Sequence, residues 1–133
     1  MIPDLNERGY LPPGTHPATL VEVAERFGVG SEQREAQAES LQWLEALCRR
    51  AGIIKILVNG SFISIKVEPN DVDCVLLQGI EYKSDSQAAI ELRQGLPFLE
   101  IKIVNADDYE FFSNVLFASD RDMIAKGVIE VVL

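Results

Sequence analysis

The sequence predicts an α/β fold of the α+β kind, with a mixed central β-sheet flanked by helices. Three observations carry that prediction. From Ser31 to Gly52, small and apolar residues recur at helical spacing. Four apolar runs rich in β-branched residues, over 53–58, 72–77, 98–104 and 128–133, have the length of strands. Further helical patterns, over 19–27, 84–94 and 107–117, lie around and between these runs, as they do when helices pack on a sheet.

A chain of 133 residues with 47% hydrophobic content is expected to form one domain, 1–133, with a sizeable core. Residues 1–18 hold four of its six prolines, which predicts an extended arm rather than a helix. His16, the chain's single histidine, falls in that arm and reads as structural. Thr19 and Glu22 have capping-box spacing, so a short helix should run from there to about Phe27 and stop at Gly28. Ser31 caps the longer helix, whose buried stripe is predicted as Ala36, Ser40, Leu41, Leu44, Leu47, Cys48 and Ala51. Trp43 lies off that stripe, and Gly52 suits the C′ position.

Ile53–Val58 reads as a strand that stops at Asn59-Gly60-Ser61. Phe62–Val67 is ambiguous, because Ile63, Ile65 and Val67 favour extended structure. Pro69-Asn70 signals a turn before a second core strand, Val72–Leu77. A helix over Ser84–Gln94 ends at Gly95. In the following strand, Phe98, Glu100, Lys102 and Val104 share one face. Asp107 to about Phe117 reads as a helix with its carboxylates at the favourable end of the dipole. Val128–Leu133 is a last strand, suited to a sheet edge.

The chemistry gathers around residues 57–77. Asp71 and Asp73, two apart at the head of a strand, project the same way, about 6.6 Å apart along the axis. Paired carboxylates repel unless a cation or a shared proton relieves them. A Gly60-Ser61 turn beside them offers backbone N–H groups and a hydroxyl to phosphate. Mg²⁺ takes one or two protein carboxylates together with substrate phosphates. These parts predict a Mg-nucleotide site.

Gly60-Ser61, nine residues, then Asp71-Val72-Asp73 resembles the motif of the nucleotidyltransferase superfamily. The fuller string, with Phe62, Lys66 and Pro69, resembles a group of small bacterial nucleotidyltransferase-like proteins. So do Leu11–Thr19, Asp120-Arg121 and Lys126-Gly127. The resemblance implies a nucleotidyltransferase-like sheet, while two buried thiols and the lack of a secretory signal predict a cytoplasmic protein. It implies metal-dependent transfer of a nucleotidyl group from a nucleoside triphosphate to the hydroxyl of an unspecified acceptor.

On that resemblance Asp71 and Asp73 bind Mg²⁺ or Mn²⁺. Glu100 supplies the third ligand, where the superfamily more often has Asp and where Lys102 could instead neutralise it. Gly60 and Ser61 hold the triphosphate, with Lys66 or Lys102 against its charge. The superfamily usually has a helix after the Gly-Ser pair. Many active members carry a further helical domain, whereas 56 residues follow Leu77 here. That brevity raises the alternative of a catalytically inactive binding or regulatory protein, and toxin components among similar proteins act beside a protein partner.

Other classes are disfavoured. A net charge of −9, from 21 acidic and 12 basic residues, argues against nonspecific nucleic-acid binding. No apolar run approaches the length of a membrane span, and Met1–Arg8 lacks the pattern of a secretory signal. Cys48 and Cys74 do not make a disulfide scaffold and read as buried thiols. No Walker-type loop, Cys/His metal cluster or Ser-His-Asp set is present in the sequence.

Overall fold

The computed structural model of the chain describes residues 2–133, apart from the side chain of Leu116. Thr19 opens helix α1 (Leu20–Phe27) with a reciprocal capping box. Its hydroxyl accepts the Glu22 N–H, and the Glu22 carboxylate accepts the Thr19 N–H. The Ser31 hydroxyl accepts the Arg34 N–H at the start of α2 (Glu32–Ala51). Gly52, at φ 86°, ends that helix in the left-handed conformation. The buried face of α2 carries Ser40, Leu41, Leu44, Leu47, Cys48 and Ala51, as the spacing predicts. Ala36 is only partly covered, and Arg34, Gln37 and Ala38 are buried on the turn around it. Trp43 stands off the face, 49% exposed.

Five strands form one mixed sheet: β1 (Gly14–Pro17), β2 (Ile53–Asn59), β3 (Val72–Gln78), β4 (Leu99–Val104) and β5 (Gly127–Val132). Their order is β1-β5-β2-β3-β4. β2 runs antiparallel to both β3 and β5, whereas β1–β5 and β3–β4 are parallel pairs. The chain is therefore α+β with a mixed sheet.

β5 is not at the edge where the sequence suggested it. The proline-rich arm contributes β1, which covers it. Pro12 O accepts a hydrogen bond from His16 Nε2 at 2.6 Å, fixing the arm's bend. Gly127 N–H donates to Leu11 O, and Ala18 N–H to Glu130 O. A Cβ on Gly127 would stand 2.1 Å from Pro12 O, so the arm lies this close only because that residue is glycine. The single histidine is a structural residue of the arm.

Helix α3 (Gln87–Gln94) is shorter than predicted, because Ser86 rather than Ser84 caps it. β4 begins at Leu99, since Phe98 has φ 64° and leaves the strand. Asn105 caps α4 (Ala106–Phe111), which continues as one π-helical turn over Phe112–Leu116. Helices α1–α3 cover one face of the sheet in the main core, with Ile56, Val58, Cys74, Leu76, Ile129 and Val131. α4 and its π turn cover the other face, where Leu57, Val75, Leu77, Val104 and Val128 pack with Tyr109, Phe112 and Phe117. Cys48 and Cys74 are buried free thiols. Among the described residues no helix is long and apolar enough to cross a membrane.

Candidate functional site

The site lies at one end of the face that carries α4. Register alone builds its floor. Asn59, the last residue of β2, stands opposite Asp73 on β3, and Asp73 stands opposite Glu100 on β4. Side-chain alternation puts Asp73 on the same face as Val75 and Leu77, and Glu100 with Lys102 and Val104. An amide and two carboxyls thus form a row across three strands.

The two carboxyl groups share a hydrogen bond. Burial first, then that bond and the charge of Glu100, push the Asp73 carboxyl up to about 6, against the opposing pull of Lys126 and Lys102. Asn59 is only 4% exposed, and its Oδ1 has no hydrogen-bond partner. A buried polar atom left unpaired is costly, and in native folds usually marks a strained or functional position.

The Gly60-Ser61 turn closes the row. Gly60 has φ 100° and ψ −176°, a conformation reserved for glycine. A Cβ there would lie 3.2 Å from Asp73 Oδ2, so the missing side chain leaves the carboxylate its space. The Ser61 hydroxyl accepts the Asn70 N–H at 2.7 Å and keeps its own proton to donate.

The loop after this turn is neither the superfamily's helix nor a strand. Ser61–Ile63 makes one 3₁₀ turn, and the chain then runs irregularly to Asp71. Helix α2 dictates that path. The Arg34 guanidinium, 6% exposed, donates to the carbonyls of Phe27, Phe62, Ser64 and Lys66 at 2.5–2.9 Å. Gln37 Nε2 donates to Asn70 O at 2.8 Å, and Gln33 Nε2 to Pro69 O. Side-chain donors from one helix satisfy the carbonyls that a strand or helix would otherwise pair.

Asn59, Gly60, Ser61, Asp71, Asp73 and Glu100 all line one open cleft of about 920 Å³. Asp120, Arg121 and Lys126, from the loop before β5, also line it. Lys66 and Lys102 are not in this lining. Lys66 lies beyond the Gly60-Ser61 turn, beside an adjacent pocket. Lys102 places its Nζ 5.4 Å from the Phe112 ring centroid, a cation–π contact. Asp71 precedes β3 and is exposed. Among the described residues no three His, Cys, Asp or Glu side chains are gathered as a metal cluster.

Lys126 is the residue that sequence reasoning passed over. It is half-buried, and burial lowers its pKa while Asp73 and Asp120 raise it. Asp120 anchors the loop that carries it. Asp120 Oδ1 accepts the N–H groups of Asp122 and Ile124, and Oδ2 accepts the Tyr10 hydroxyl at 2.7 Å. The pairing of Asp120-Arg121 with Lys126-Gly127 in the sequence was the available signal, but it carried no distance.

Compared with curated proteins and with solved structures, the chain matches none. A family profile does match it, over residues 3–132, nearly end to end. The chain therefore belongs to the family of unknown function DUF6932.

Proposed function

We propose that this cleft binds a nucleoside triphosphate through a divalent cation, and that the chain transfers a nucleotidyl group to an acceptor hydroxyl. The observation that carries the reading is the row Asn59, Asp73, Glu100 closed by the Gly60-Ser61 turn. The donor set fits Mg²⁺ or Mn²⁺. Its atoms are oxygens, its two adjacent carboxyls hold together through a proton, and the neighbouring Asn59 Oδ1 lacks a donor.

Asp73 and Glu100 would hold the cation, with Asp71 at the mouth of the cleft. When bound, the ion supplies charge neutralisation to phosphate oxygens. The chain's own groups do the rest. The Ser61 hydroxyl and the side-chain-free backbone at Gly60 offer a phosphate close approach. Lys126 and Arg121, in the same lining, would add positive charge against it. Below about pH 6 a nucleotide-borne cation would compete with the proton on Asp73, and above it the carboxylate is free to bind.

A second reading, nucleotide binding without transfer, is favoured by one observation. Two-metal transfer uses ligands for both ions, and no third carboxylate is gathered with the pair among the described residues. An ion carried on the triphosphate needs only one or two protein carboxylates. Incubation with labelled triphosphates, Mn²⁺ and RNA, protein or small-molecule acceptors separates the two. Label transfer lost in Glu100→Gln supports the enzyme. Mg-nucleotide affinity with no transfer to any acceptor supports the binding module.

A further inference from the structure

We propose that a second pocket, across the Gly60-Ser61 turn from the cleft, is a polyphosphate-anion site held by Arg8, Lys66 and Lys126. In the nucleotide reading, on which this assignment of the ligand rests, it takes the β- and γ-phosphates. The pocket has a volume of about 370 Å³. Its wall contains those three cations and no carboxylate, in a chain with 21 acidic and 12 basic residues. The neighbouring cleft has the opposite character, lined by Glu68, Asp71, Asp73, Glu100 and Asp120.

Among the described residues Arg8, Lys66 and Lys126 make no ion pair, whereas Arg26, Arg49 and Lys55 each do. Lys126 feels the charges of Asp73 and Asp120 across the shared wall, but three cations around one concavity without a carboxylate still raise its local potential for an anion. Arg8 suits the planar, bidentate recognition of phosphate, and the lysines act as point charges.

The two cavities are neighbours, because Asn59, Gly60, Ser61 and Lys126 belong to both walls. A ligand whose head carries a cation and whose tail carries negative charge spans them without a change of chain. The protein also fixes the backbone from which the pocket's cations extend. Arg8 sits in a tight turn whose Asn6 Oδ1 accepts the N–H groups of Arg8 and Tyr10, and whose Gly9 has φ 80°. Gly9 O accepts the Ile65 N–H, docking that turn on the loop of Lys66, and Lys66 O is held by Arg34. Lys126 N–H donates to Ala118 O. The N-terminal arm, the clamped loop and the loop before β5 thus each contribute one cation.

The test is calorimetric titration of the full chain with pyrophosphate in EDTA, followed by competition with a nucleoside triphosphate. Pyrophosphate should bind without metal. Lys126→Met should weaken it by about tenfold, near the size of one charge-assisted contact, and the exposed Arg8→Gln by about threefold. Lys83→Met, an equal change of charge away from the pocket, should leave it unaltered. Arg8 is exposed, so its variant keeps the test alive should Lys126→Met fail to fold. No pyrophosphate binding, or equal weakening by Lys83→Met, overturns the proposal. Pyrophosphate binding that no nucleotide displaces keeps the anion pocket and removes the nucleotide reading. Mg-nucleotide binding indifferent to both pocket variants does the reverse.

Discussion

Asp73 and Glu100 occupy paired positions on the parallel strands β3 and β4, and their carboxyl groups hydrogen-bond to each other. Two ionised carboxylates in that geometry would repel, so the pair holds a proton. That proton is held up to about pH 6, above the ordinary Asp range, which makes the pair measurable without any substrate.

The first prediction concerns pH. Asp73 is raised from 3.8 to about 6, so across that interval the folded chain holds a proton the unfolded chain has lost. Stability falls with rising pH wherever the native state binds more protons. This contribution is therefore complete below the ordinary Asp value and lost as pH climbs to about 6. Glu100→Gln removes the repulsion and narrows the interval. In EDTA, wild-type Tm minus Glu100→Gln Tm should decline between about pH 4 and pH 6 and stay level above it. A difference that rises over that window contradicts the assignment.

Arg34 is expected to be the clamp of the Ser61–Asp71 loop. Arg34→Met leaves three buried carbonyls and the part-buried one of Lys66 to find new donors, and should cost more than about 3 kcal/mol in urea unfolding. Arg34→Lys should not restore it, since an ammonium cannot reach the fork of carbonyls a guanidinium spans. Recovery by lysine to within about 0.5 kcal/mol would show that charge alone suffices.

Gly60→Ala should destabilise the chain by about 1–3 kcal/mol, because the native backbone lies outside the regions open to alanine. The added Cβ also presses on Asp73 Oδ2. An alanine variant as stable as the wild type would mean the turn relaxes without cost.

Tyr10→Phe tests the tie between arm and loop. The Tyr10 hydroxyl first, then the Ile124 and Asp122 N–H groups, hold the Asp120 carboxyl below its ordinary range. Removing the hydroxyl should raise the Asp120 titration midpoint followed by NMR. An unmoved midpoint would show that the backbone donors suffice.

The sequence made helices α1 and α2 legible through local chemistry: the Thr19/Glu22 box, the Ser31 cap and Gly52 at the end are all read within a few residues. The strands were legible as apolar runs, and with them the neighbourhood of Gly60, Asp71, Asp73 and Glu100. What failed was non-local. Phe62–Val67 alternates like a strand, yet Arg34, about 30 residues earlier, takes its carbonyls, so its local pattern decides nothing. The arm's prolines announce extension but not a partner, and only Gly127 tells why it lies against β5. Lys102 shares a strand face with Glu100, but the Phe112 ring draws its ammonium aside. Lys126 reaches the cleft from a loop whose shape depends on Asp120, a relationship with no periodic trace.

The central claim is that Asp73 and Glu100 bind a nucleotide-borne divalent cation. Its most direct test is calorimetric titration of each nucleoside triphosphate with Mg²⁺ at pH 7.5 (~1.5 units above the raised Asp73 value, so that the shared proton is displaced). The account predicts binding by the wild type that EDTA abolishes and that Asp73→Asn weakens by at least about tenfold, with the fold intact by circular dichroism. Affinity unchanged in Asp73→Asn, or a wild type that takes no triphosphate with Mg²⁺ or Mn²⁺, would contradict it.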